Sequence, residues 1–107
     1  MGQQIAPTDS YTCLSYERFS NIASPVGFSP ANLLIKGQPC QEVLIVVENA
    51  PIRFTLVSNI VPNVSGIGVK MSDGNSYVVK GTETIQNFKM INAAIGNGAV
   101  VHCHYFF

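Results

Sequence analysis

The chain has few charged residues, and this excludes several classes of function. Charged residues make up 11 % of the 107 residues, against about 25 % in typical soluble domains. Six basic residues balance six acidic ones, so the basic excess with which nucleic-acid-binding proteins neutralise phosphates is missing. Disordered segments combine low hydrophobicity with high net charge, whereas this chain is 47 % hydrophobic and neutral. We therefore predict a folded protein that binds no nucleic acid and whose weakly charged surface is covered by neighbouring molecules.

Long apolar runs, a signal sequence and paired cysteines are also missing. No stretch approaches the roughly 18 apolar residues of a membrane helix, so we expect no membrane partner. Residues 1–6 lack the basic and apolar regions of a secretory signal, which predicts synthesis in a cytoplasm. The three cysteines, Cys13, Cys40 and Cys103, form no CxxC pair, so no zinc ribbon or thioredoxin-like motif is indicated. One disulfide remains an alternative, but we expect three buried thiols.

The length allows one domain, and its turn residues are those of a β protein. Nine Gly and six Pro, together with Asn and Ser, recur about every ten positions, which is typical of a sandwich or barrel. Residues 1–10 are rich in Gln and poor in apolar anchors, so we expect an N-terminal arm that a partner holds. Residues 11–107 would form a single antiparallel β-sandwich, or a small jelly roll, of seven to eight strands.

The clearest predicted strands lie in the middle of the chain. The unbroken aliphatic run 42–47 predicts burial on both faces. Residues 52–56 alternate between apolar and polar side chains, and the short gap between the two runs predicts an antiparallel hairpin. Residues 58–65 would be a loop, and 67–71 a further strand. Asp73 and Gly74 suit a primed turn, after which 77–79 would return. Three other runs are also expected to be strands: 10–19, 33–35 and 99–107.

One segment, 84–94, allows a helix. Four apolar residues are spaced so that they would share one helix face: Ile85, Phe88, Ile91 and Ile95. Two Asn residues, the lack of a capping box and the hairpin signal at 96–98 oppose a long helix. We therefore predict a single helical turn at 83–87 and then a strand at 88–91.

Two histidines near the end of the chain, His102 and His104, raise the possibility of a metal site. Residues two apart in a strand point to the same side, so both imidazoles could reach one ion. The chain has no third His, and Cys103 would face the opposite side. Further ligands would have to come from Asp9, Asp73 or another subunit. We therefore expect no metal, and histidines on an edge strand that face solvent or an interface.

No motif indicates an enzyme. Nucleophilic catalysis needs a nucleophile, a base and an orienting acid held together, and neither a GxSxG elbow nor a paired-carboxylate motif is present. The glycines at 66 and 68 do not join a strand to a helix, so they do not indicate a phosphate-binding loop. We predict no catalytic residues, no cofactor-binding residues, no cofactor and no small-molecule substrate.

The last three residues are aromatic, which is unusual for a chain end. An exposed aromatic cluster would mark a contact surface. Two alternatives remain open: the end is a strand of the domain's own sheet, or it docks on a neighbour. We assign as candidate interface residues those at the two ends of the chain: Gln3, Gln4, Ile5, Tyr105, Phe106 and Phe107.

A longer pattern resembles a known family. The run 43–56 reads VLIVVENAPIRFTL, and after a loop and a Gly-Ile strand, residues 85–91 read IQNFKMI. The pattern resembles a group of short virion proteins of tailed bacteriophages, whose genes lie among the head and connector genes. In that group a Val-Glu-x-Ala-Pro-Ile-Arg-Phe segment precedes an Ile-x-x-Phe-x-x-Ile element and a final strand ending in aromatics. The match covers roughly residues 40–107, and it departs at 57–59, where the group usually has Asp-Gly.

The resemblance implies a β-sandwich structural component of a phage particle. Our first hypothesis is a capsid decoration (cement) protein on the exterior of the virion, made in the host cytoplasm. Its partners would be the major capsid protein and copies of itself in a homo-oligomer, and it would stabilise the assembled head by binding only that state. One alternative is a head-to-tail adaptor or tail-associated protein, which copy number distinguishes. Another is a receptor- or carbohydrate-binding module, which the lack of Trp disfavours.

Overall fold

Nine strands and one short helix follow one another along residues 10–107, the part of the chain that the computed structural model describes. The helix α1 spans Thr82–Asn87, and a 3₁₀ turn spans Pro30–Asn32. The strands are β1 (Cys13–Ser20), β2 (Leu34–Ile35), β3 (Gln38–Pro39), β4 (Glu42–Glu48), β5 (Ile52–Thr55), β6 (Val69–Met71), β7 (Ser76–Lys80), β8 (Lys89–Asn92) and β9 (Val100–Phe106). Within this part of the chain, no helix is long and apolar enough to cross a membrane.

The strands form two main sheets and one small hairpin, and all pairs are antiparallel. The first sheet has the order β1-β9-β4-β7, the second has the order β6-β5-β8, and β2 pairs with β3. Side chains from both main sheets, such as Ile45 and Phe54, belong to one hydrophobic core. The radius of gyration, 13.0 Å, is close to the value of about 13 Å for a compact chain of this length. The prediction of a mostly β, antiparallel and compact protein is confirmed.

The strand β4 is buried on one face more than on the other. Val43, Ile45 and Val47 face the core and are almost fully buried. Leu44 and Val46 lie on the outer face and are only half-buried. The expected burial on both faces is therefore wrong. The reason is that only one face of the first sheet packs against the second sheet, although β4 lies inside its sheet between β9 and β7.

Neighbouring strands along the chain often belong to different sheets. The predicted hairpin between 42–47 and 52–56 is wrong, because β4 pairs with β7 and β9 while β5 pairs with β6 and β8. Asn49 has a φ of 77°, and this turn carries the chain from one sheet to the other. The Asn49 side chain donates to the carbonyl of Gly98 over 2.8 Å. That bond joins this crossing to the crossing between β8 and β9.

The turn at 72–75 makes a third crossing between the sheets. Gly74 has a φ of 86°, but Asp73 has no positive φ, so the turn is present without the primed conformation that was predicted. The N–H of Gly74 donates to the carbonyl of Val47 over 2.8 Å, and the N–H of Val47 donates to Asn75 over 3.0 Å. The strands predicted on either side of the turn are present as β6 and β7. They do not pair, because each lies at the edge of a different sheet.

The helical segment follows the preferred prediction. The helix α1 is six residues long and the strand β8 follows it directly. Phe88 ends the helix with an extended ψ of 133°. Ile85, Phe88 and Ile91 are buried, whereas Ile95 is 89 % exposed. A helix through 94 would have placed all four on one face, so the short turn followed by a strand is confirmed.

Aromatic rings connect the parts of the core. The rings of Phe28 and Phe88 are stacked at 4.4 Å, and Phe54 lies 5.6 Å from Phe88. Tyr105 meets Phe28 edge-on at 5.6 Å. Phe28 follows a segment that runs beside β8, where Val26 and Met90 exchange two backbone hydrogen bonds. Phe88 therefore packs between Phe54 of the second sheet and Phe28 of the segment beside β8.

Candidate binding surface

The aromatic chain end is part of the first sheet. The strand β9 lies between β1 and β4, so the alternative of a strand inside the domain's own sheet is realised. Tyr105 is fully buried and contributes no side-chain surface, whereas Phe106 and Phe107 are partly exposed. Docking of these two side chains on a neighbour stays a prediction. The other candidate interface residues, Gln3, Gln4 and Ile5, lie outside the described residues.

The two histidines lie on the outer face of the first sheet. His102 and His104 point to that face and Cys103 points into the core, as the alternation predicts. The expected edge strand is wrong, because β9 has a neighbour on each side. Within residues 10–107 no group of three or more His, Cys, Asp or Glu side chains is close enough to hold a metal ion. Asp73 lies in the turn after β6, and Asp9 is outside the described range.

His102 takes part in a hydrogen-bonded chain across three strands. Its Nδ1 lies 2.6 Å from the hydroxyl of Tyr16 on β1, and its Nε2 lies 2.8 Å from Glu48 Oε1 on β4. If the tyrosine donates to Nδ1, the ring proton is on Nε2 and is donated to the carboxylate. The Tyr16 ring also lies 5.0 Å from that of His104. These hydrogen bonds connect three strands on the outer face of the first sheet. The sequence did not predict them, because Tyr16 and His102 are 86 residues apart.

Glu17 on β1 points toward the core and accepts hydrogen bonds from three residues. Its carboxylate accepts from the Tyr105 hydroxyl at 2.7 Å, from the Asn32 side chain at 3.1 Å, and from the Ser29 N–H and hydroxyl. Burial alone would raise the pKa of Glu17, but the hydrogen bonds from these three residues outweigh it and hold the pKa below its ordinary value. Burial also raises the pKa of Tyr105, so its hydroxyl remains a donor. The Glu17 carboxylate thereby connects β1 to β9 through Tyr105, and to the segment before β2 through Ser29 and Asn32.

The three cysteines are free thiols in two environments. Cys40 and Cys103 are buried, and Cys13 is exposed. The expectation of three buried thiols is therefore wrong for Cys13, because it begins β1 at the edge of the first sheet. Burial raises the pKa of Cys103 to about 12 and also raises the pKa of Cys40. Both buried thiols are therefore protonated and poorly reactive at neutral pH.

This difference predicts that one thiol per chain reacts with a disulfide reagent in the native protein. Cys40 and Cys103 should react at least about a hundredfold more slowly, because they must wait for an opening of the core. Counting the released chromophore before and after unfolding in guanidinium measures both classes. In the Cys13→Ser variant the fast thiol should disappear. Two or more fast thiols in the folded wild type would contradict this arrangement of the cysteines.

Many of the exposed large hydrophobic side chains within residues 10–107 come from the chain around β6. We name as the β6 surface the exposed aliphatic residues from the loop 57–67 and from β6: Val57, Ile60, Val61, Ile67 and Val69. Their exposed fractions lie between 43 % and 60 %. These five are more than half of the nine large hydrophobic residues that are exposed within 10–107. Three of the five, Val57, Ile60 and Val69, line one depression. Single exposed apolar residues are ordinary, but grouped ones mark a contact surface.

The loop that carries the β6 surface is held by its own hydrogen bonds. Thr55 Oγ1 donates to the carbonyl of Ile60 over 2.7 Å. The N–H of Asn63 donates to the carbonyl of Ile67 over 3.0 Å, and the Asn63 side chain accepts from the N–H groups of Ser65 and Ile67. The bond from Thr55 joins the loop to β5 and the bonds of Asn63 lie within the loop, so its exposed apolar side chains are carried by a defined backbone.

Gly68 brings this loop close to β5. Its φ is +110°, and a Cβ at this position would lie 3.1 Å from both the carbonyl oxygen of Phe54 and the Cβ of Pro62. Pro62 is buried beneath the loop. The predicted loop at 58–65 is confirmed, but its role as a surface was missed. One signal in the sequence could have indicated this surface. The loop contains several aliphatic residues, and a turn does not need aliphatic residues to form.

Two depressions adjoin β6. One of about 390 Å³ is almost wholly apolar and lies between Leu56, Ile60 and Val69. The other, of about 230 Å³, opens between the edges of the two sheets beside Met71 and Tyr77. Phe54 lines both, and its ring lies 5.4 Å from that of Tyr77. The β6 surface thus combines protruding aliphatic side chains with recesses that could receive such side chains.

No protein-family model, no curated protein and no solved structure matches this chain. Its function therefore has to be argued from its surfaces and from the chemistry of its sequence.

Proposed function

We propose that this chain is a structural protein of a phage virion, and specifically a decoration protein that binds the outside of the assembled head. The observation that carries the proposal is the β6 surface, with five exposed aliphatic residues within 13 positions of a chain with no net charge. A protein that stays free in solution usually breaks such a group with charges. A protein that works inside an assembly covers it with a neighbour.

We also propose that the two main sheets form a β-sandwich of the jelly-roll kind. Four connections that cross between the sheets support this, since jelly rolls are built from two sheets that exchange strands. The crossings follow β4, β6, β7 and β8. The outer positions of the strands and their loops are then available for contacts, while the shared core holds the domain together.

Binding to the assembled head would stabilise it by mass action. A ligand that binds the assembled state and not the dissociated one shifts the equilibrium toward assembly. Covering the exposed half of an aliphatic side chain contributes about 1 kcal/mol, so the β6 surface supplies a few kcal/mol per copy before the cost of ordering. Many copies per head would add these contributions. Because apolar contacts are little affected by salt, attachment should persist when salt is raised.

The test is to count copies of the chain in purified particles of the virus that encodes it. We expect hundreds of copies per particle by quantitative mass spectrometry, located on the head in images of particles with a tagged chain. Mild denaturant should release the chain first and leave heads that break more easily. A dozen or fewer copies would favour the adaptor alternative, and absence from the particle would refute a virion role.

A pair of variants tests the surface itself. Ile67→Glu places a charge in the β6 surface and should weaken binding to heads stripped of the chain by at least about tenfold, which is the effect of roughly 1.4 kcal/mol. Leu34→Glu changes a residue that is also exposed, at 60 %, but lies on the hairpin of β2 and β3. It should bind as the wild type does. Equal binding by all three proteins would move the contact away from β6.

A further inference from the structure

We propose that the outer face of the second sheet binds a small tetrahedral oxyanion, of the phosphate or sulfate class, through three basic residues. We name these residues the basic site: Arg53 on β5, Lys70 on β6 and Lys89 on β8. The inference does not depend on the virion proposal, because it concerns a ligand of the purified chain.

The first step is that the strand register places the three residues on one face. Arg53 lies directly opposite Lys70 across β5 and β6. Phe54 and Met90 lie opposite each other across β5 and β8, and both are buried in the core. Because side chains alternate along a strand, the residues that precede them, Arg53 and Lys89, point to the outer face. Lys70 shares this face with Arg53.

The second step is that the basic residues lie close together. Residues directly opposite have Cβ atoms about 4.5–5.5 Å apart, and diagonal neighbours are about 7–8 Å apart. Lys70 is directly opposite Arg53, and Lys89 is its diagonal neighbour, two residues before Ile91, which lies opposite Arg53 on β8. Lys70 is exposed and the other two are partly exposed. A small ion from solvent can therefore meet all three side chains at one place.

The third step is the charge of the second sheet. Its strands β5, β6 and β8 contain three of the six basic residues of the chain and no acidic residue. None of the three forms an ion pair within residues 10–107. Like charges placed directly opposite in neighbouring strands destabilise the pairing. A bound anion would relieve this repulsion between Arg53 and Lys70, although the chain as a whole has no net charge.

The fourth step is the unused edge of the Arg53 guanidinium. Its Nη1 donates to the carbonyl of Gly68 over 3.0 Å. Its Nε has no hydrogen-bond partner among the described residues and is shielded from solvent. Nε and Nη2 together form an edge that binds two oxygen atoms of one oxyanion. A ligand reaches this edge only if the guanidinium turns outward, and because an unsatisfied buried donor is costly, binding favours that turn.

The fifth step is the class of ligand. The arginine edge binds two oxygen atoms, and each lysine ammonium is a compact charge that needs an acceptor of its own. A tetrahedral oxyanion has enough oxygen atoms to accept hydrogen bonds from Arg53 and from both lysines at once. A carboxylate has only two oxygen atoms and a single charge. The basic site therefore favours phosphate or sulfate over a carboxylate.

Titration of the purified chain with inorganic phosphate at pH 7 and constant ionic strength tests the site. In NMR spectra of the backbone amides, the signals of Gly68 and Lys70 should shift and saturate with a Kd on the order of 1 mM. Lys70→Gln should weaken binding about tenfold, because it removes one charged donor. Lys36→Gln removes an exposed basic residue from the turn between β2 and β3 and should bind phosphate as the wild type does.

Two further measurements test the role of Arg53 and the class of ligand. Arg53→Lys keeps the charge but removes the two-donor edge, and should weaken phosphate binding at least about fivefold. Sulfate should compete with phosphate, whereas acetate should bind at least about tenfold more weakly than phosphate. Circular dichroism checks that each variant is folded. If Arg53→Lys loosens the loop that Gly68 ends, the exposed Lys70 still provides the test.

Several results would overturn the inference. They are amide shifts that rise without saturating, phosphate binding that is unchanged in Lys70→Gln, an equal loss in Lys36→Gln, and acetate that binds as tightly as phosphate. None of these results depends on whether the chain binds a capsid, so the failure of this inference and the failure of the virion proposal are distinguishable.

Discussion

Replacing Phe88 with alanine is expected to lower the free energy of unfolding by about 3–5 kcal/mol, the usual range for a buried phenylalanine. Phe88 is fully buried and packs its ring against Phe28 and Phe54. The smaller side chain would leave a cavity where three segments of the chain meet. Urea unfolding at 25 °C, followed by circular dichroism, measures the change from the midpoint at constant slope.

Two matched variants show whether the effect comes from packing. Phe88→Leu keeps most of the volume and should lose about 1–2 kcal/mol. Ile95→Ala removes an apolar side chain that is 89 % exposed and should change the free energy by less than about 0.5 kcal/mol. If Phe88→Ala were as mild as Ile95→Ala, the stacking at the centre of the core would be disproved.

Local signals identified most of the strands. Residues 42–47 are almost entirely aliphatic, and the structure places β4 there. The competition between a helix and a strand near Phe88 was resolved correctly, since Asn residues and the glycines at 96 and 98 interrupt the helical spacing. These predictions succeeded because propensity and turn chemistry act over a few neighbouring residues.

Strand partners were predicted less well, and the reason is geometric. A turn such as 49–51 reverses the chain, but its residues do not determine whether the next strand pairs with the previous one or crosses to the other sheet. Asn49 adopts a positive φ, which is compatible both with a hairpin and with a crossing to the other sheet. The choice depends on β7 and β9, which flank β4 and come much later in the chain. A short stretch of sequence does not show which of several distant strands will pair with β4.

Of the two candidate contact surfaces, the sequence indicated the aromatic chain end but not the β6 surface. The sequence singles out Phe106 and Phe107 because aromatic chain ends are unusual. Of the β6 surface, it predicts Ile60 and Val61 to lie in an ordinary loop and Ile67 and Val69 to lie in a strand. Val57, Ile60 and Val61 are three and four residues apart, whereas Ile67 and Val69 are two apart, so no single period marked the five as a group. Only the hydrogen bonds of Asn63 and the close approach at Gly68 reveal that they are held outward together.

The second large effect is expected at Glu17. Glu17→Ala should lower the free energy of unfolding by about 3 kcal/mol, because it removes charge-assisted hydrogen bonds and leaves the buried Tyr105 hydroxyl without its acceptor. Tyr105→Phe removes only the donor and should lose about 1 kcal/mol. In the double variant the loss should be smaller than the sum, since the two side chains share one hydrogen bond. Urea unfolding at pH 7 measures all three, and strict additivity would show that the bond contributes nothing.

The contribution of Glu17 should also depend on pH in a defined direction. Its pKa is lower in the folded protein than its ordinary value of 4.5, so the folded state favours the ionised carboxylate. The resulting stability is fully present above the unfolded pKa and is lost as the pH falls through the lower, folded pKa. The difference in stability between the wild type and Glu17→Gln should therefore be constant from about pH 8 to pH 6 and should shrink as the pH falls below about 4.5. A difference that grew on acidification would mean that burial outweighs the hydrogen bonds from Ser29, Tyr105 and Asn32.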